Sequence, residues 1–118
     1  MSQVNQHITV ERGATYMLDV DLLDDDNAPL NLFGTQLFYR LSPDAGDDPV
    51  IEIDSADIAT SEGSGFAIAT ITLTVVHTKS VSPGTYYHEL YMRDSTGNIA
   101  VLFTGSVAVI DAAAADYA

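Results

Sequence analysis

Residues 82–109 restrict the fold more than any other part of the sequence, because they alternate with a period of two on either side of a tight turn. Tyr86, His88, Leu90 and Met92 interleave with Tyr87, Glu89, Tyr91 and Arg93, so a strand here has two faces of different chemistry. Pro83-Gly84 supplies a turn on entry. Asp94-Ser95-Thr96-Gly97-Asn98 supplies the next one, with Gly97 placed to take the positive φ that L-residues resist. Ile99 to Val109 then returns as a second strand rich in β-branched residues. A hairpin of this kind sets the fold class as all-β.

The rest of the chain repeats the pattern in shorter pieces, with turn signals between them. Gln6–Glu11 places Ile8 and Val10 on one face. After Gly13, Thr15–Leu23 puts Tyr16, Leu18, Val20 and Leu22 inward and Asp19 and Asp21 outward. Asp24-Asp25-Asp26-Asn27 with Pro29 forms a turn. Thr35–Leu41 carries Leu37, Tyr39 and Leu41 on one side, Val50–Ile53 is a short strand, and Phe66–Thr74 a longer one. Thr74 to Lys79 is the one helical turn, with Thr74 as its N-cap. Residues 42–65 are otherwise dense in turn formers. Seven short strands, one helical turn and no long helix predict an antiparallel β-sandwich. Ile99–Val109 is apolar on both faces, so it is either a central strand covered twice or a strand with one face awaiting a partner.

Composition narrows the function. At 118 residues the chain is one domain, here 1–110, followed by an alanine-rich tail at 111–118. It has no cysteine, which removes disulfides, thiolate nucleophiles and Cys-based zinc sites. No signal peptide is visible and no stretch approaches the apolar length of a spanning helix, so the expectation is a soluble protein made in the cytoplasm, folded without oxidation and not secreted. Four basic residues against 17 acidic ones give a net charge of −13. Such a surface repels phosphate backbones and anionic lipid, so neither nucleic acid nor membrane is an expected partner.

Chemistry is sparse. Asp19, Asp21 and Asp24 to Asp26 could offer oxygen ligands to calcium, but consecutive aspartates diverge and no Asp-x-Asp-x-Asp-Gly loop is present. Asp44, Asp47 and Asp48 form a second group in another loop. His7, His77 and His88 are scattered, and His88 falls on the inward register of its strand. Glu52 and Glu89 are single carboxylates with no second acid as partner. Ser61-Glu62-Gly63-Ser64-Gly65 lacks the lysine and helix of a phosphate loop. No catalytic residues, cofactor or metal are therefore expected, and the chain does not read as an enzyme. Tyr87 and Tyr91, on the outward face with Glu89 and Arg93, could pair across strands, anchor a protein interface or stack on sugar rings.

The landmarks, taken in order, carry a family resemblance. Ile8-Thr9-Val10-Glu11-Arg12-Gly13 precedes a strand ending in acidic residues, followed by Pro29-Leu30-Asn31-Leu32-Phe33-Gly34-Thr35-Gln36-Leu37. Gly65-Phe66 leads a strand ending in Leu73-Thr74, and Pro83-Gly84-Thr85-Tyr86-Tyr87, Asp94-Ser95-Thr96-Gly97-Asn98 and Thr104-Gly105-Ser106-Val107 complete the set. Over about residues 6 to 110 the chain resembles the Ig-like β-sandwich of tailed-phage virion proteins, similar to the N-terminal domain of phage baseplate upper proteins. That resemblance implies an Ig-like antiparallel β-sandwich of about seven to eight strands and a non-enzymatic structural role in a virion, at the tail, baseplate or neck. Baseplate upper proteins continue into a stalk and further domains beyond the residues present here, so a capsid decoration (cement) protein is an alternative. A carbohydrate-binding or host-adhesion module is another. The expected partners are other virion proteins and further copies of the chain, with a host glycan under the last alternative. Tyr87, Tyr91, Leu102, Ile110 and Tyr117 are the candidate interface residues.

Overall fold

A computed structural model describes residues 7–23, 28–44 and 46–111. Eight strands form two sheets: β1 (Ile8–Glu11), β2 (Tyr16–Asp21), β3 (Gln36–Ser42), β4 (Ile51–Ile53), β5 (Ala59–Gly63), β6 (Phe66–Leu73), β7 (Gly84–Arg93) and β8 (Ile99–Ile110). One short helix, α1 (Val75–Lys79), crosses from β6 to β7. The sheets run β1-β8-β7-β3-β4 and β2-β6-β5. The protein is an Ig-like β-sandwich in which neighbouring strands are antiparallel except β1, which lies parallel to β8 with Ile8 opposite Val107. That exception to a wholly antiparallel sandwich follows from the path of the chain, which leaves β1 for the opposite sheet at β2.

Alternation builds the core. From the five-stranded sheet, Val10, Leu37, Tyr39, Leu41, Ile53, Leu90, Phe103 and Val107 point inward; Val20, Ala69, Ile71 and Leu73 meet them from the other. Each large side chain so buried contributes about 1.5–3 kcal/mol of transfer free energy. At the entrance to β7 the Tyr86 hydroxyl donates to the Ser82 carbonyl, 2.7 Å away and four residues upstream. Ig-type sandwiches pin the same corner with a tyrosine in this way.

Three local features depart from the expected strand list. β5 is an eighth strand, absent from the expectation because every one of its residues is exposed and it has no apolar alternation. It is held as an edge by pairing with β6, from Ala59 opposite Thr70 to Gly63 opposite Phe66. A 3-10 turn at Ser55–Asp57 precedes it, with the Asp54 carboxylate accepting from the Ala56 N–H. The third is a β-bulge: Leu90 pairs with Phe103 and Tyr91 with Val101, so Leu102 has no opposite number on β7. Strand β8 is flanked on both edges only along Val107–Val109, where β1 lies beside it; among the described residues, the stretch Ile99–Ser106 has only β7 as a neighbour. The strand is interior in the order of the sheet, but its outward residues Ile99, Val101 and Ile110 are exposed, so it is not covered on both faces.

The helical turn forms where expected. Thr74 caps it, accepting from the His77 N–H at 3.4 Å, while His77 Nδ1 accepts from the Thr74 N–H at 3.2 Å. A histidine thus fills the place that glutamate or glutamine takes in most capping boxes. The Thr78 hydroxyl, buried beneath α1, accepts from Gly13 N–H and donates to the Ala14 carbonyl, fastening the helix to the β1–β2 turn.

Candidate functional site

The outer face of the five-stranded sheet is set by the same alternation that fills the core, and register places its side chains in rows. Gln36, Arg93 and Ile99 form the first row; Phe38, Tyr91 and Val101 the second; Glu52, Arg40, Glu89 and Thr104 the third. The Phe38 and Tyr91 rings stack at 5.1 Å between centroids and 19° between planes. The Arg93 guanidinium lies 5.3 Å above the Phe38 ring and hydrogen-bonds Gln36. Ile99 and Val101, on the half of β8 that lacks β1, are 65 % and 41 % exposed. The result is a flat aromatic and aliphatic surface carrying two of the four basic side chains of the sequence.

A shallow cleft of about 230 Å³ opens on this surface, lined by Arg40, Glu89, Tyr91, Ile99 and Val101. Arg40 stands between Glu52 on β4 and Glu89 on β7, opposite both in register. Among the described residues neither carboxylate comes within ion-pair distance of it, and its Nε is enclosed by protein without a hydrogen-bond partner. Leaving such a donor unpaired costs about 1–3 kcal/mol. Glu89 receives only a long contact of 3.5 Å from the Tyr87 hydroxyl. The enclosed Nε is out of a ligand's reach, but the cleft is lined by the rest of a guanidinium with no partner among the described residues and by a carboxylate with one long contact, beside an aromatic ring.

The candidate interface residues are dispersed by the fold. Tyr91 belongs to the cleft. Tyr87 is on the same face but beyond Glu89, half-buried beside His7, Thr104 and Ser106, and its phenol is raised above the ordinary tyrosine range by burial and then by the Glu89 carboxylate. His7 Nδ1 is 2.6 Å from the Ser106 hydroxyl there. The two tyrosines thus do not make one stacking platform; the second ring under Tyr91 is Phe38, a residue that sequence reasoning missed although its outward parity on β3 could have revealed it. Leu102 is a correction: the bulge turns it into the core at 8 % exposed, so it cannot serve as a contact surface. Ile110 is exposed, and Tyr117 lies outside the described residues.

Ile110 sits at the end of the sandwich where α1 packs. Arg12 organises this end, donating from Nε to the Val81 carbonyl at 2.8 Å, from Nη2 to the Lys79 carbonyl at 3.2 Å, and from Nη1 to the Asp111 carboxylate at 2.9 Å. Val75 and Val76 of α1 are exposed at the same end, Val76 at 77 %.

The remaining candidates are structural. His88 is fully buried, its Nδ1 2.9 Å from the Tyr39 hydroxyl and its ring 5.0 Å from that of Phe103. Burial pushes the Tyr39 phenol far above its usual range. Asp19 accepts from the Thr70 hydroxyl at 2.6 Å. Asp24 to Asp26 lie outside the described residues, and among the described residues no three His, Asp or Glu side chains gather at metal-binding distance. In the β7–β8 turn Asp94 accepts from the Thr96 hydroxyl and the Thr96 and Asn98 N–H groups, and these hydrogen bonds, the Thr96 hydroxyl first, hold its carboxyl below the usual carboxylate range.

No family model matches the sequence, and no curated protein matches it. Among solved structures, the chain is similar to a family 123 glycoside hydrolase from Clostridium perfringens, with 11 % identity and a TM-score of 0.39 over 93 % of this chain. The chain spans about a quarter of that enzyme's length, 23 %.

Proposed function

We propose that this protein is a non-enzymatic structural component of a tailed-phage virion, a tail, baseplate or neck accessory that works by docking onto other virion proteins and onto copies of itself. The observation that supports this reading is the end of the sandwich built around Arg12. There Val75, Val76 and Ile110 stay exposed on a chain of net charge −13, beside the point where Asp111 leads into the alanine-rich residues 112–118. Apolar side chains left in water at one end of an otherwise acidic domain suit a surface that is covered on assembly. The strong negative charge suits a particle exterior rather than contact with packaged DNA. A decoration protein on the capsid would use the same end.

Gradient-purified particles from a lysate of the encoding strain should contain the chain in a fixed ratio to the major tail or capsid protein, measured by quantitative mass spectrometry. Its absence from particles overturns the reading. Deleting residues 111–118 should leave the domain folded while reducing its incorporation; full incorporation of the truncated chain would remove this end as the docking surface.

A further inference from the structure

We propose that the cleft between Arg40, Glu89 and Tyr91 binds a neutral pyranose, and so gives the protein a weak glycan-binding site on the outer face of its five-stranded sheet. Three properties of the cleft select that ligand class. It presents the guanidinium of Arg40, which has no hydrogen-bond partner among the described residues, and a carboxylate with one long contact, on adjacent strands and opposite each other in register. A ligand that satisfies both must donate to one and accept from the other at neighbouring positions, as vicinal hydroxyls do. Beside them the Tyr91 ring, stiffened by its stack on Phe38, and the exposed Ile99 and Val101 side chains offer an apolar wall against which the C–H face of a sugar ring can rest.

Charge argues against the simpler ligands. The row Glu52–Arg40–Glu89 sums to a negative charge within a chain of −13, so an anion meets repulsion from both flanks and from the whole molecule. A cation is drawn by the same negative row and chain charge but meets the Arg40 guanidinium in the cleft itself. A neutral polyol meets neither repulsion. The cleft is on the sheet face rather than at the end of the sandwich proposed above for docking, so it remains open when that end is covered, and the test below does not depend on assembly. A hexose in a shallow cleft of about 230 Å³ gains only millimolar affinity, which an array of copies would multiply.

The experiment is an amide-resolved NMR titration of the 15N-labelled chain with methyl β-glucopyranoside and methyl β-galactopyranoside to about 50 mM, a range that covers millimolar dissociation constants. N-acetylneuraminic acid serves as the anionic probe, and acetyl-trialanine amide as a peptide with the same donor and acceptor complement. Saturable shifts confined to the amides around Arg40, Glu89, Tyr91 and Val101 with a neutral sugar are expected. Tyr91→Ala and Glu89→Gln should each weaken binding about tenfold or more. Glu89→Gln changes no volume, so it keeps the test intact if Tyr91→Ala is poorly folded. No saturable shift from either neutral sugar overturns the proposal. So does binding of the acidic sugar or the peptide alone, or neutral-sugar binding that both variants leave unchanged.

Discussion

The Tyr39–His88 pair shows how a single buried contact sets both stability and its pH range. Both side chains are fully enclosed between the sheets, and the hydrogen bond between Tyr39 Oη and His88 Nδ1 satisfies two polar atoms that would otherwise be stranded. Tyr39→Phe removes the hydroxyl and leaves the imidazole nitrogen without it, so it should lower unfolding free energy by about 1–3 kcal/mol in a urea melt. The phenol also carries a pH signature. Its pKa is raised in the folded chain, so folded and unfolded states are equally protonated below pH about 10 and stability there is insensitive to this group. Above about 10 the unfolded state loses the proton while the folded state keeps it, and stability falls by up to about 1.4 kcal/mol per pH unit. Tyr39→Phe should flatten most of that alkaline limb, with a smaller remainder from Tyr87, whose phenol is raised in the same direction. An alkaline limb unchanged in Tyr39→Phe would contradict this assignment. Both residues were legible from parity alone, His88 on the inward register of its strand and Tyr39 on the apolar face with Leu37 and Leu41. Their pairing was not, because they are 49 residues apart and meet only through the β3–β7 register.

Among the elements, α1 is the one whose existence depends most on a terminal residue. A five-residue helix is far too short to be stable alone, so its cap and the Thr78 hydrogen bonds to the β1–β2 turn hold it. Thr74→Ala should cost about 1 kcal/mol by thermal denaturation. A loss within error would mean that Thr78 alone fixes the helix. Thr74 and the helical turn were readable in sequence because the capping signal is local. β5 was not, since Thr60 and Glu62 are polar where an inward alternation would need apolar side chains. Backbone pairing with β6 alone makes it a strand, and pairing leaves no mark on composition. The bulge in β8 belongs to the same class. Parity carried unbroken along Ile99–Val109 puts Leu102 outside, and one skipped residue puts it in the core.

At the scale of the molecule, charge has the longest reach. Seventeen acidic and four basic residues on a domain this small repel one another in the folded state more than in the expanded chain. Raising sodium chloride from about 0.01 to 0.5 M shortens the Debye length from about 30 Å to a few ångströms. The melting temperature should therefore rise by several degrees, read by circular dichroism. An unchanged or falling value would show that the Arg12–Asp111 pair and other local attractions outweigh the general repulsion. The sequence by itself determined the all-β class, most of the strands, the inward residues of those whose parity runs unbroken and the helical turn, because period and turn chemistry act over a few residues. Only the tertiary structure decided which outward residues share a surface. Phe38, Arg40, Glu89, Tyr91, Ile99 and Val101 come from three strands, and strand order, register and one bulge bring them together. Those are long-range choices that depend on how two sheets bury their faces against each other, and no local pattern encodes them.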